Sequence, residues 1–264
     1  MISLNELKRI AAKHKVALSV IEKDYAITWI LYGLSETRFR KYFVFKGGTA
    51  LRKIYFSDWR YSEDLDFTIS KKLSDDNLKE IINKIKDYLL EKVGITINLK
   101  SLYSNPEYAQ IKIHFIGPLN NKNTIKFDLN FNEPIVLTPN NKQVLSDYSD
   151  KEKHKLSVYP LEELLAEKIR SILQRAKTRD YYDVWRILKN YNKKIEMSVL
   201  QNVLIKKCLA KNLNFDKNNL FTPDKIHPAK QYWGKSLTHQ IDNLPDFKTV
   251  VRECKELMHS FLKI

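Results

Sequence analysis

Apolar positions change period several times along the chain, and each change marks an element. Leu7, Ile10 and Ala11, then Val20, Ile27, Ile30 and Leu31, recur three and four apart. That spacing predicts helices over residues 3–38, with Gly33 near the end of the second. The short apolar run Tyr42–Phe45 predicts a strand, and Gly47 and Gly48 predict a turn into a helix starting near Thr49. "DLDFTIS", from Asp64 to Ser70, alternates with period two, as a half-buried strand does. Leu78, Ile81, Ile82, Ile85 and Leu89 form one helical stripe over 75–92, capped by Ser74 or Asp75. Three β-like runs follow: "GITINLKSLY", "YAQIKIHFIG" and "NTIKFDLNF". Pro and Asn density in "EPIVLTPNNKQ" marks a connection and places a domain boundary near residue 140. Beyond it the spacing is helical over 161–190, 196–211 and 247–263, while 212–245 is mixed, with Pro223, Pro228 and Pro245. The pattern predicts an α+β protein. N-terminal helices and a small mixed-sheet core fill residues 1–140, and a helical C-terminal domain fills 141–264.

Composition narrows the class. An apolar fraction of 43% belongs to a folded chain, and stretches such as "YAITWILYG" fall short of the roughly 20 residues a membrane span needs. The first residues carry no long apolar block, so no signal peptide is expected. Cys208 and Cys254 lie far apart and outside any Cys/His cluster, which fits reduced thiols in the cytoplasm and no zinc site. Forty-six basic against 31 acidic residues leave a formal charge of +15. Such a surplus suits a polyanionic partner such as nucleic acid, although a lysine-rich solubilising surface would have the same sum. Residues 168–194 concentrate it, with nine Lys/Arg against Asp180 and Asp183.

The chemistry lies in a carboxylate pattern and a glycine pair. Asp64 and Asp66 are two apart on a predicted strand, so both point to one face, where they repel unless a cation sits between them. Asp128, in "IKFDLNF", is again an acid among apolar strand residues; if its strand neighbours the first, three carboxylates converge. Oxygen-only ligands suit Mg²⁺ or Mn²⁺. The same acids on exposed faces, satisfied by water or lysine, would need no metal. Gly47 and Gly48 make the metal reading stronger. Between a strand and a helix, glycine lets backbone N–H groups approach a phosphate closely, and the Thr49 hydroxyl adds a donor. Neither a Walker A loop nor a dinucleotide fingerprint is present. An anion cradle beside a metal site is what a nucleoside triphosphate needs.

Gly47-Gly48, Asp64-x-Asp66 and Asp128 together resemble the nucleotidyltransferase superfamily of the DNA polymerase β type. More narrowly, "IEKDYAITWIL", "FKGGTALRK", "RYSEDLDF" and "LLAEKIRSILQRAKTRDYYDVW" are similar to the AbiEii/AbiGii toxin family, over about residues 18–190. The resemblance implies an NTP-dependent enzyme of a toxin–antitoxin or abortive-infection system, countered by a cognate antitoxin protein. Some such enzymes act on the 3′ acceptor end of tRNA and block translation. It implies phosphate binding by Gly47, Gly48 and Thr49, and metal ligation by Asp64, Asp66 and Asp128. Ser62, two residues before Asp64, has a hydroxyl placed to bond a phosphate oxygen, or else serves only the turn into the strand. Two departures stand out: Thr49 replaces the more usual serine, and the gap from Thr49 to Asp64 is a little long. If 161–190 is one continuous helix, Lys168, Arg175, Arg179 and Asp183 share a single stripe. Lys168 is then expected to reach the triphosphate and Arg179 to fork onto a phosphate, with Asp180 and Asp183 orienting them. Tyr181, Tyr182 and Trp185 are expected in the core, and the six histidines receive no role. Two other functions use the same residues. One is transfer of a nucleotide to a protein hydroxyl; the other is a silent nucleotide- or partner-binding module, against which the intact carboxylate set argues.

Overall fold

In the first unit, Met1–Ile135 with Pro139–Tyr159, the expected helices and strands assemble around one sheet. The computed structural model describes residues 1–264. Helix α1 (Leu4–His14) is capped by Ser3, whose hydroxyl accepts from the Glu6 N–H, and α2 (Leu18–Ser35) is buried nearly all round. Strand β1 (Phe43–Lys46) runs straight into α3 (Gly47–Ala50), which continues as a single π-helical stretch, Leu51–Tyr55. The helix therefore starts at the first glycine rather than at Thr49. Strand β2 (Asp64–Ile69) follows, then α4 (Asp75–Val93), closed by a Ser74–Asn77 capping box and a left-handed Gly94. Its stripe from Leu78 to Val93 is buried, at about 1.5–3 kcal/mol per large side chain.

Strands β3 (Thr96–Ser104), β4 (Tyr108–Ile116) and β5 (Lys122–Asn130) match the three β-like runs. Two short strands were not foreseen, β6 (Asn140–Gln143) and β7 (Lys155–Val158). The sheet order is β3-β4-β5-β2-β1-β7-β6, with β2 parallel to β5 and β1 parallel to β7. One face is apolar: Leu65, Phe67, Phe127, Leu129, Ile111 and Ile113 are all buried. The other face carries the polar residues of the same strands.

The second unit, Val136–Thr138 with Pro160–Ile264, is helical. It contains α5 (Leu161–Arg175), α6 (Thr178–Asn190), α7 (Met197–Leu209), α8 (Pro223–Gln231), α9 (Trp233–Leu237) and α10 (Phe247–Phe261). The continuous helix expected over 161–190 is two helices. Ala176 takes left-handed backbone angles (φ 47°, ψ 41°), and its N–H caps α5 by donating to the Ser171 and Ile172 carbonyls. The fully buried Lys207 ammonium lies 2.8 Å from Glu163 and 3.2 Å from Glu167. Glu163 also accepts the N–H groups of Val136 and Leu137, which ties that short segment to α5. No helix is long and apolar enough to cross a membrane.

Candidate active site

The strand register lays the predicted carboxylates out in rows on the polar face. Asp66 stands opposite Lys46 on one side and Asp128 on the other, and Asp128 stands opposite Gln110. In the next row Asp64 pairs with Lys126, which pairs with Lys112. Neighbouring strands lie roughly 4.8 Å apart, so Asp66 and Asp128 are cross-strand neighbours.

The glycine pair is where this row meets the turn. Gly47 has φ +77°, a region that only glycine enters without strain, and a Cβ there would lie 2.2 Å from Oδ2 of Asp66. The Asp66 carboxylate thus rests directly on the backbone at Gly47. At Gly48 a Cβ would come within 2.8 Å of Nη2 of Arg60 and 3.1 Å of Oγ of Ser62. Both glycines are close-approach positions, one facing a carboxylate and the other a guanidinium and a hydroxyl. Thr49 is buried, and its hydroxyl donates to the carbonyl of Asp64, fastening α3 to the start of β2. Its hydroxyl positions the strand rather than lying open to a ligand.

The side chains depart from a simple three-carboxylate cluster. Lys126 Nζ lies 2.6 Å from Asp128 and 3.7 Å from Asp64, so an ammonium occupies the space between them. No group of three or more His, Cys, Asp or Glu side chains forms a metal cage. The physical reason is period two: Lys126 is two residues before Asp128 on the same strand and shares its face. Asp128 is further engaged by the Tyr108 hydroxyl and by Gln110, whose amide donates at 3.1 Å. Burial alone would raise the Asp128 carboxyl, but hydrogen bonds from Lys126, Tyr108 and Gln110 outweigh it and hold the group below its ordinary value. The donor chemistry nevertheless fits a hard divalent ion. It is oxygen-only, on adjacent strands, and a cation already bridges two of the three carboxylates.

Beneath the turn sits a buried ionic cluster that the sequence reading did not single out. Asp24 on α2 lies 3.2 Å from Arg52 Nε and also pairs with Lys53, while the Tyr148 hydroxyl donates to it at 2.7 Å. Arg52 also donates to the Trp59 and Ser57 carbonyls and stacks 3.6 Å above the Tyr61 ring. One arginine therefore organises the loop between α3 and β2, and explains how a long gap still delivers Asp64 to its place. The available signal was the charged run Glu22-Lys23-Asp24 in a helix whose later residues are mostly apolar, in "IEKDYAITWIL".

In the second unit Lys168 on α5 meets both acids of α6, at 2.9 Å to Asp180 and 3.0 Å to Asp183. Arg175 Nε adds a 3.5 Å contact to Asp180. The expected Lys168–aspartate pairing is thus made across a helical corner, not along one stripe. Arg179 is half-buried at the start of α6. Tyr181 and Tyr182 are buried in the core, and Trp185 donates to Glu253 at 2.7 Å.

The profile of the family described as "Nucleotidyl transferase AbiEii toxin, Type IV TA system" matches residues 29–253. Among solved structures, the nucleotidyltransferase toxin MenT4 of Mycobacterium tuberculosis H37Rv is similar in fold, with a TM-score of 0.70 at 18% identity. The match covers 100% of this chain and 91% of that one. No curated protein matches the chain.

Proposed function

The chain belongs to the AbiEii family of nucleotidyltransferase toxins of type IV toxin–antitoxin systems, and we propose that it transfers a nucleoside monophosphate from an NTP to RNA. The target we favour is the 3′ acceptor end of tRNA. One observation carries the donor half of this reading: the Gly47 backbone is packed against the Asp66 carboxylate, so an anion cradle and a cation-binding row share one edge. In the reaction the RNA hydroxyl oxygen forms a bond to the α-phosphorus. The α–β anhydride bond breaks, pyrophosphate leaves, and the hydroxyl proton passes to water.

Asp64, Asp66 and Asp128 are the residues that would hold Mg²⁺ or Mn²⁺, which when bound neutralises phosphate charge. The Gly47–Gly48 turn orients the phosphates, with Arg60 and Ser62 closing around Gly48. Asp128, kept ionised by its three partners, suits permanent ligation better than storage of a proton. Lys46 and Lys126 stand in the same rows and balance the carboxylates until substrate enters. The resemblance implies a part in the transfer for Lys168, whose ammonium Asp180 and Asp183 hold in place. A charge of +15 favours RNA over a protein hydroxyl as acceptor. Family membership also implies an antitoxin protein as partner.

The test is label transfer from each radiolabelled NTP, with Mg²⁺, to total tRNA. Asp66→Ala and Lys168→Ala are expected to abolish it while wild type labels RNA. Equal labelling by all three would overturn the catalytic assignment, and label on protein instead of RNA would move the acceptor to a protein hydroxyl.

A further inference from the structure

The second unit contains a cavity of about 330 Å³. Arg175, Lys177 and Arg179, around the corner between α5 and α6, form one wall, and Pro228, Tyr232 and Ser236 form the other. The walls are fixed to each other: the Thr178 hydroxyl donates to the Ala229 carbonyl at 3.2 Å. The corner depends on the left-handed Ala176, an uncommon conformation for a residue with a Cβ, and it turns three consecutive odd-numbered basic positions toward one space. Arg175 is partly engaged by Asp180, yet the lining itself contains no carboxylate. Tyr232 is 55% exposed, while the neighbouring aromatics Tyr182 and Trp233 are buried.

Three cations in a lining that holds no carboxylate disfavour a divalent ion and favour an anion. The exposed ring adds something an acidic peptide or inorganic phosphate does not require, a flat face for stacking. Single-stranded nucleic acid combines the two, with a phosphate every nucleotide and an unpaired base that can lie on an aromatic side chain. The volume is at the small end for ligand pockets and suits one nucleotide, not a duplex. We propose that this cavity holds one nucleotide of the single-stranded acceptor RNA, its base stacked on Tyr232 and its flanking phosphates on Arg175, Lys177 and Arg179. The inference rests on the reading of RNA as acceptor, and it moves Arg179 from the NTP to the RNA. It also gives a task to residues 223–237, beyond the recognisable motifs.

Fluorescence anisotropy with a short labelled single-stranded RNA tests it, on the full chain. Tyr232→Ala is expected to weaken binding by roughly five-fold or more, as loss of one stacked base requires. Tyr232→Trp is expected to restore it, because a larger ring still stacks. Lys177→Ala is expected to reduce the slope of log affinity against log salt by about 0.7, the signature of one lost phosphate contact on a single strand, whereas Tyr232→Ala leaves the slope unchanged. Both positions are exposed, so the melting temperature reports whether the variants remain folded. Wild-type affinity in a folded Tyr232→Ala protein would overturn the proposal, as would weak binding that Tyr232→Trp fails to recover. If wild type binds RNA through Tyr232 but transfers no label to it, the acceptor assignment fails and the binding site stands. If wild type binds no RNA, both fail.

Discussion

Gly47→Ala isolates the contact on which the proposed donor site depends. The added Cβ would sit 2.2 Å from Oδ2 and 2.9 Å from Cγ of Asp66, whereas ordinary contact begins near 3.4 Å. Relief therefore needs a relative movement of 1.2 Å, the difference of those two distances, between turn and carboxylate. The backbone adds its own cost, because φ +77° carries about 1–2 kcal/mol of strain for a residue with a Cβ. At about 2–4 °C per kcal/mol for a chain of this size, the melting temperature is expected to drop by roughly 2–8 °C. Activity should suffer far more. A misplacement of about 1 Å at reacting groups costs on the order of 100-fold, so kcat/KM for pyrophosphate release is expected to fall at least that much. Gly48→Ala provides the comparison. Its Cβ would meet the end of the Arg60 side chain at 2.8 Å with no left-handed backbone, so a smaller loss of both stability and activity is expected. Calorimetric unfolding and a continuous pyrophosphate assay, run on the same preparations, separate the two effects. A Gly47→Ala protein that loses melting temperature but keeps its kcat/KM would refute the argument that the turn and Asp66 form one device.

Two further substitutions probe the charges around that device. Lys126→Met removes the ammonium between Asp64 and Asp128, so Mn²⁺ affinity measured by titration calorimetry is expected to rise several-fold, since an opposing charge is worth on the order of 1 kcal/mol at a half-exposed site. An unchanged affinity would mean that Lys126 does not compete for the site. Asp24→Asn leaves Arg52 and Lys53 buried without their counter-charge, at an expected cost of about 3–5 kcal/mol read by denaturant unfolding. Burial opposes ionisation of Asp24, but Lys53, Arg52 and Tyr148 outweigh it and lower its pKa. Its contribution is therefore complete above the unfolded value of about 4 and is lost as pH falls through the lower folded value. The wild-type protein should lose stability steeply in that acid range and Asp24→Asn should not; parallel acid limbs would contradict the assignment.

What could be read from the sequence, and what could not, follows from the range of the interactions involved. Period two in "DLDFTIS" put Asp64 and Asp66 on one face because alternation is a local property of an extended chain. The stripe of α4 and its Ser74 cap were legible for the same reason. The neighbouring position of β5 was only a condition in the sequence, since pairing Asp64 with Lys126, 62 positions further on, is decided by the whole sheet. Strands β6 and β7 are four residues each and, unlike the equally short β1, contain no apolar run to mark them. The break at Ala176 was hidden because neither glycine nor proline marks it; the left-handed turn sits where α6 folds back to pack on α5.

Lys126 shows why a motif written in carboxylates alone is incomplete. The alternation that aligned Asp64 with Asp66 aligns Lys126 with Asp128 just as strictly, and the register then sets Lys126 opposite Asp64. A strand face proposed to gather acids for a divalent ion must remain folded before the ion arrives, and unscreened carboxylates at cross-strand distance repel. Lysines in the same rows resolve this: Lys46 opposite Asp66, and Lys126 between Asp64 and Asp128. Long, flexible and half-exposed, a lysine side chain can move aside without disturbing the strand that carries it. The polar face is thus balanced without a ligand, and the residues that balance it are found by the same period-two rule that finds the acids.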